Sequence, residues 1–437
     1  MTKFLFKQID NTPLIIFRII FGLLIFLESV GAIFTGWIKR TLIDPEFTFT
    51  VIGLEWLQPL SGPGMYIYYA IMGLFGLCVM IGYKYRFSIV AFTLLWTATY
   101  LMQKASYNNH YYLLILIASF MCILPAHNYC SIDAKLKPQI TKTHMPNWAK
   151  LIFIGQMAIV YTYGAIAKLY SDWLDTTVMN IFMTAKKHYY IIGDLLQNTY
   201  IHYFLAYGGI LFDGLIIPFL LIKRTRKTAF GCAIFFHIFN AIVFQVGIFP
   251  FLSLAFCLFF FDAKTIHRIF LKQKPFYSQN EVSIPKNKTL ITSVFTIYFC
   301  IQLILPIRHW FISGDVLRTE EGHRLSWRMM LRAKSGIINF KVVDSATNES
   351  SIINHRKKLS SKQAQIIATK PDVIWQFAQR LKNEYAAKGK HVKIYAVNSN
   401  VSINGKALHP FINPNIDLAA EKWNTFGHSH WILEPKK

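Results

Sequence analysis

Along the chain, long apolar runs alternate with short polar segments dense in Lys and Arg, up to about residue 313. A helix rises 1.5 Å per residue, so roughly 20 mainly apolar residues cross a bilayer. Nine stretches approach that length: 13–34, 64–82, 86–104, 110–126, 149–170, 202–222, 228–247, 249–263 and 291–313. The fourth and eighth are the shortest. Pro250, after the gap Gly247-Ile248-Phe249, favours a fresh helix start there.

From about Gly314 the pattern changes, and polar positions dominate. Ile337–Val343 and Ser351–Ile353 read as short strands around Asp344. Pro371 to Lys388 reads as an amphipathic helix with Val373, Ile374, Phe377, Leu381 and Tyr385 on one side, and Gly389 as its stop. The alternation from His391 to Ile403 predicts a strand, and Asn404-Gly405 a hairpin turn. The expected fold class is mainly α. A polytopic membrane helical bundle of about nine spans occupies 1–313, and a small extracytoplasmic α+β domain occupies 314–437.

Composition agrees with the membrane reading. Of 437 residues 54% are hydrophobic and only 16% charged, where a soluble protein carries about 25%. The net charge of +24 does not signal nucleic-acid binding, because the basic residues flank apolar spans and no zinc-finger, RNA-binding or phosphate-loop motif is present. With the N-terminus in the cytoplasm, Lys84, Arg86, Lys135, Lys137, Lys142, the run Lys223–Lys227 and the basic residues of 264–288 all fall inside. The opposite loops hold fewer: Lys39, Arg40, Lys104, Lys186 and Lys187. The tail then lies outside. The first apolar run is too long for a signal-peptide core and reads as a span. The cysteines all sit in or beside apolar stretches and say little about compartment.

Four groups of polar residues stand out against this background. Asn108-Asn109-His110 opens the fourth span on the outer side, and Lys168, followed by Asp172-Trp173, closes the fifth on the same side, so His110 and Lys168 fall at similar depth. A lysine desolvated among apolar groups acts as a neutral base, or else it snorkels to the headgroups. Asp213, His237 and Asn240 lie near the middle of the sixth and seventh spans, with Arg18 inside the first. Polar groups at that depth need partners, and they either satisfy one another or line a substrate cavity. No pair has a metal-ligand spacing such as His-x-x-x-His, so no metal is expected. Beyond the last span, His323 to Arg332 is rich in arginine and clamps a carboxylate or contacts headgroups.

Taken together, these segments resemble vitamin K-dependent gamma-carboxylases and their microbial relatives with the horizontally transferred transmembrane (HTTM) domain. The resemblance rests on Phe17-Arg18-Ile19-Ile20-Phe21-Gly22, Tyr107-Asn108-Asn109-His110-Tyr111-Tyr112-Leu113, Ala167-Lys168-Leu169 with Asp172-Trp173, and Phe236-His237 with Asn240. It continues through Leu325-Ser326-Trp327-Arg328-Met329-Met330, Val401-Ser402-Ile403-Asn404, Asn413-Pro414 and Asp417. It implies that Lys168 is the weak base that deprotonates vitamin K hydroquinone, and that His110 serves the later carboxylation. Oxygen addition yields the epoxide by way of a strongly basic alkoxide. That base removes a γ-proton from a peptide glutamate, and the carbanion takes up CO2. Asn109, Asp172, Trp173, Asp213, His237, Asn240 and Arg18 become candidates for holding the quinone. Ser326, Trp327, Met330 and Arg332 become candidates for the glutamate peptide. The expected co-substrates are vitamin K hydroquinone, O2 and CO2. The expected partners are a glutamate-containing peptide or protein and the lipid bilayer.

Two departures narrow this expectation. Animal enzymes carry a long additional C-terminal region that helps bind a propeptide, whereas this chain stops soon after Trp423 and Trp431; they also link outer segments by a disulfide for which no cysteine pair here is placed. Both features point to a bacterial inner membrane and away from propeptide-directed recognition. The alternatives are a quinol epoxidase without carboxylation and a non-catalytic membrane protein that binds a quinone or lipid.

Overall fold

A computed structural model describes residues 2–279 and 281–434. Met1 and residues 435–437, the extreme ends of the two expected domains, and Asn280 lie outside the described residues. Each of the nine apolar stretches is helical: α1 Thr12–Phe34, α2 Gly64–Ile81, α3 Tyr85–Met102, α4 Asn109–Ile123, α5 Trp148–Ile166, α6 Thr199–Leu221, α7 Arg226–Phe239, α8 Phe249–Phe256 and, after α9 Ala263–Phe270, α10 Lys288–Ile307. Among the described residues six of these helices are long and apolar enough to cross a membrane unaided: α1, α2, α5, α6, α10, and α7 with its continuation to Phe244. The eighth stretch is not a straight span, because its helix breaks after Phe259 and turns by 115° into α9. α4 is short, at 15 residues.

Helix contacts follow membrane packing rules. α1 and α2 cross closely because Gly22 and Gly76 leave no room for a side chain: a Cβ on Gly22 would fall 2.3 Å from the backbone nitrogen of Met80. Polar groups within the bundle are matched across helices. Tyr111 donates to Glu28 at 2.9 Å, and Gln302 donates to the Tyr112 hydroxyl at 2.7 Å.

The connecting segments sort onto two faces. On one face β1 (Gln8–Asp10) pairs antiparallel with β2 (His144–Pro146), and the buried Asp10 carboxylate binds Lys274 at 2.7 Å. Asp133 accepts the backbone N–H of Lys84 there at 2.8 Å. The opposite face carries the C-terminal domain. That domain is a four-stranded sheet ordered β4-β3-β5-β6 (β3 Lys334–Asp344, β4 Ser350–Ile353, β5 Val392–Ile403, β6 His409–Pro410), with the helices α11 Ser361–Ile367 and α12 Pro371–Ala386. Inward residues of β3, β5 and α12, among them Phe340, Ala396 and Phe377, form its core. Phe47, Phe49 and Ala105, from loops of the helical region, complete that core, so the domain is fused to the bundle. Lys104, 2% exposed, binds Asp372 at the start of α12 at 2.9 Å, and Arg324 binds the same carboxylate oxygen at 2.9 Å.

The expected strands, amphipathic helix and hairpin of the C-terminal domain are all present. Asn404 and Gly405 both take left-handed backbone angles in the turn closed by the Lys406 N–H on the Ile403 carbonyl, and the strands pair from Val401 and His409 onward, so the hairpin loop is longer than the two residues of the turn. Sequence patterning did not reveal α11 or the small β1–β2 sheet.

Candidate active site

α5 ends at Ile166, and a tight turn then carries Lys168 back over the helix. Its ammonium group donates to the Gly164 carbonyl at 3.2 Å and forms an ion pair with the Asp213 carboxylate of α6. Both side chains are largely buried, at 12% and 7% exposure. Gly164 makes the pairing possible, because a Cβ there would lie 3.1 Å from Asp213 Oδ2. The ammonium also sits 5.6 Å from the centre of the Trp173 ring, and that ring is fixed by its N–H to the Ala206 carbonyl at 3.0 Å.

His110 reaches the same place from α4. Asn108 caps that helix by accepting the Tyr111 N–H at 2.7 Å, which sets His110 in the first turn. The imidazole lies flat on Phe249, with centroids 4.4 Å apart. The edge of His237 meets the same phenyl ring at 5.9 Å. His237 is 1% exposed; its Nε2 lies 2.8 Å from the Tyr161 hydroxyl, and its Nδ1 has no partner.

A cavity of about 770 Å³ joins these groups, with Lys168, Asp213, His110, Tyr161 and Trp173 in its wall. The rest of the lining is almost wholly apolar and aromatic. The cavity follows α6 from Phe204 to Phe219 and ends beside Arg224 and Thr228. At 1.5 Å per residue that is about 22 Å of helix. Phe204, Leu211 and Phe235 along it are exposed on the bundle surface.

The candidates from sequence therefore divide. Lys168, His110, Asp213, Trp173, Asn240 and Met330 line one cavity, and His237 stands directly behind its wall. Asn240 donates to the Phe236 carbonyl of its own helix at 2.8 Å. The other candidates lie elsewhere. Arg18 is on the opposite face of the bundle, donating to the carbonyls of Ala126 and Cys130 at 3.1 and 2.7 Å, which satisfy the charge away from any quinone. Asp172 accepts from Asn404 and Lys406 at 2.9 and 2.7 Å, locking the β5 hairpin to the α5–α6 loop. Asn109 joins Tyr107 to the Arg328 carbonyl. Trp327 is fully buried and stacks on Tyr112 at 5.1 Å. Ser326 donates to the Gly322 carbonyl at 2.5 Å. Arg332 is paired with Glu320. Burial pushes the Glu320 carboxyl up, but Arg332 and Lys334 outweigh it and hold the group well below the usual range.

These residues shape the site indirectly, because they anchor the segment 325–330. Within it Leu325, Trp327 and Met330 all adopt left-handed backbone angles that non-glycine residues seldom take. That irregular path turns Met329 and Met330 into the cavity. Tyr161 carries no separate signal in the sequence: it lies on α5, seven residues before Lys168, and the turn after Ile166 brings Lys168 back to the cavity that Tyr161 lines.

The fold and the cavity define a membrane protein in which an apolar chamber, holding a lysine–aspartate pair and a histidine, lies beneath a fused α+β domain. The HTTM domain family matches residues 6–264, and the lumenal domain of vitamin K-dependent gamma-carboxylase matches residues 287–437. The chain belongs to this gamma-carboxylase family of HTTM-domain proteins. No solved structure matches it.

Proposed function

We propose that the chain is a vitamin K-dependent gamma-glutamyl carboxylase, which couples oxygenation of vitamin K hydroquinone to its epoxide with addition of CO2 to the γ-carbon of a peptide glutamate. The observation that carries this reading is the Lys168–Asp213 pair in the wall of an apolar, laterally exposed cavity that also contains His110. A quinol is lipid-soluble, and this cavity runs along the exposed side of α6. The γ-proton of glutamate is too weakly acidic for a side-chain base, so oxygenation of the quinol supplies the base, and an enclosed apolar site shields it from water.

The ion pair suggests how the first proton moves. Lys168 and Asp213 together hold one proton in a neutral pair. As the quinol O–H bond breaks, its proton passes to the pair, which then bears one positive charge beside the quinol anion. Lys168 thus stays cationic next to the developing negative charge, and Asp213 supplies the accepting capacity. Tyr161 and His237 fix the chamber wall behind His110. Its native membrane is a bacterial inner membrane on this reading, with the C-terminal domain outside.

Purified protein given reduced vitamin K, a glutamate peptide and labelled bicarbonate should yield epoxide and label the peptide in parallel. Epoxide without label would favour the second reading, a quinol epoxidase without carboxylation. One observation favours that alternative: of the four residues expected to meet the peptide, Ser326, Trp327 and Arg332 are engaged by other protein groups.

A further inference from the structure

Behind the turn that carries Lys168 lies a second cavity, of about 530 Å³. The segment 325–330 separates the two chambers: Met329 and Met330 face the first, and Ser326 and Arg328 face the second. This second chamber has two kinds of wall. Ile166, Leu169 and Trp310 are exposed apolar residues at the ends of α5 and α10, continuous with the surface that α10 presents outward through Leu303 and Ile304. Arg328, His309 and Asp315 form the polar wall.

Arg328 has no acidic partner among the described residues. Its Nη1 lies 3.3 Å from His309 Nε2. His309 Nδ1 lies 2.8 Å from the Pro306 carbonyl, which can only accept, so the hydrogen resides on Nδ1 and Nε2 is a neutral acceptor. Asp315 is engaged by the Leu317 N–H at 2.9 Å, and the nearby Arg332 is paired with Glu320. Arg328 Nε is buried without a partner. Burial, and then repulsion from Arg332, pull the guanidinium down to about 10. A largely desolvated cation whose direct side-chain partner is a neutral histidine, and on which Asp315 and Glu320 act without a direct ion pair, is an incomplete arrangement, and an anion would complete it.

We propose that this chamber binds an anionic phospholipid, with the phosphate on Arg328 and His309 and the acyl chains along Ile166, Leu169 and Trp310. The guanidinium fork matches a phosphate in two parallel hydrogen bonds, and tryptophan is favoured at the membrane–water boundary. The apolar wall argues for an amphiphile rather than a peptide, because a peptide arriving from water needs no surface continuous with the lipid-facing helices. The inference is independent of the quinol chemistry.

The test titrates the delipidated full chain in detergent with phosphatidylglycerol, phosphatidylcholine, oleate, inorganic phosphate or a glutamate peptide, following the thermal midpoint and lipid adducts by native mass spectrometry. Phosphatidylglycerol should raise the midpoint and form a discrete adduct, with Arg328→Gln binding it about tenfold or more weakly. Arg328→Lys keeps the charge but loses the fork, and should fall between. If Arg328→Gln unfolds, the lysine variant alone decides, since wild-type affinity there would overturn the proposal. Equal affinity of wild type and Arg328→Gln would also overturn it. So would phosphatidylcholine, oleate, free phosphate or the peptide binding as tightly as phosphatidylglycerol.

Discussion

Lys168 and Asp213 face each other as a buried ion pair between the end of α5 and the middle of α6, and both open onto one apolar cavity. Removing either partner leaves the other charged and desolvated, which costs about 3–5 kcal/mol. Lys168→Met and Asp213→Leu should each lower the thermal midpoint, and the double variant should recover much of that loss. Epoxide formation should fall about 10²-fold or more in all three. A double variant that regained activity along with stability would reduce the pair to a structural role.

Gly164 offers a test of geometry without touching either charge. A methyl group at this position would sit 3.1 Å from Asp213 Oδ2. Gly164→Ala should therefore displace the carboxylate from Lys168 and slow epoxide formation, with a stability cost of about 1–3 kcal/mol from overpacking. Unchanged epoxidation would mean that the spacing of the pair does not matter to proton transfer.

Much of this arrangement was legible in the sequence because membranes tolerate few buried polar residues. Lys168, His110, Asp213, His237 and Asn240 stood out against apolar runs, and they converge on one chamber. Arg18 stood out for the same reason and yet is a staple on the opposite face, because polarity marks the need for a partner without telling which partner. Asp172, Asn109 and Arg332 are likewise occupied by contacts between loops more than 200 residues apart or within an irregular segment that has no periodicity to read. The bend after Phe259 has no mark in the sequence, since an apolar run looks the same whether straight or broken.

His110 packs on Phe249 and shares the cavity with Lys168 but makes no hydrogen bond to the ion pair. If its role lies in the carbon–carbon bond-forming half, His110→Ala should depress peptide labelling about 10²-fold while leaving epoxide formation within a few-fold. Parallel epoxide and bicarbonate assays decide this, and equal loss in both would remove the division of labour.

The junction between bundle and C-terminal domain has its own pH signature. Burial alone would raise the Asp372 carboxyl, but Arg324 and Lys104 outweigh it and hold the group at about 2. A carboxyl depressed in the folded state stabilises it fully above the unfolded value of about 3.9, and that contribution is lost as pH falls from there towards about 2. About 2–3 kcal/mol is at stake. The thermal midpoint should therefore fall less steeply with acid in Asp372→Asn, which starts from a lower midpoint at neutral pH because Lys104 is left buried and unpaired. Identical acid profiles for the two proteins would exclude Asp372 as the sensor.

The shape of the first cavity predicts how it treats the tail of a quinol. Gly208, Gly209 and Gly231 line it, and a Cβ on any of them would meet nothing within 4 Å, so a side chain added there starts in open space on the cavity wall. Gly208 lies on α6, one helical turn and a residue before Asp213, on the stretch of the cavity that runs away from Lys168 and Asp213 towards Phe204. Gly208→Phe should obstruct a long prenyl tail more than the ring that must reach Lys168. KM for a long-chain menaquinol should rise about tenfold, equivalent to ~1.4 kcal/mol, while that for a quinol with a methyl group in place of the tail stays close to wild type. Equal KM increases for both substrates would show that the ring, not the tail, occupies this part of the cavity.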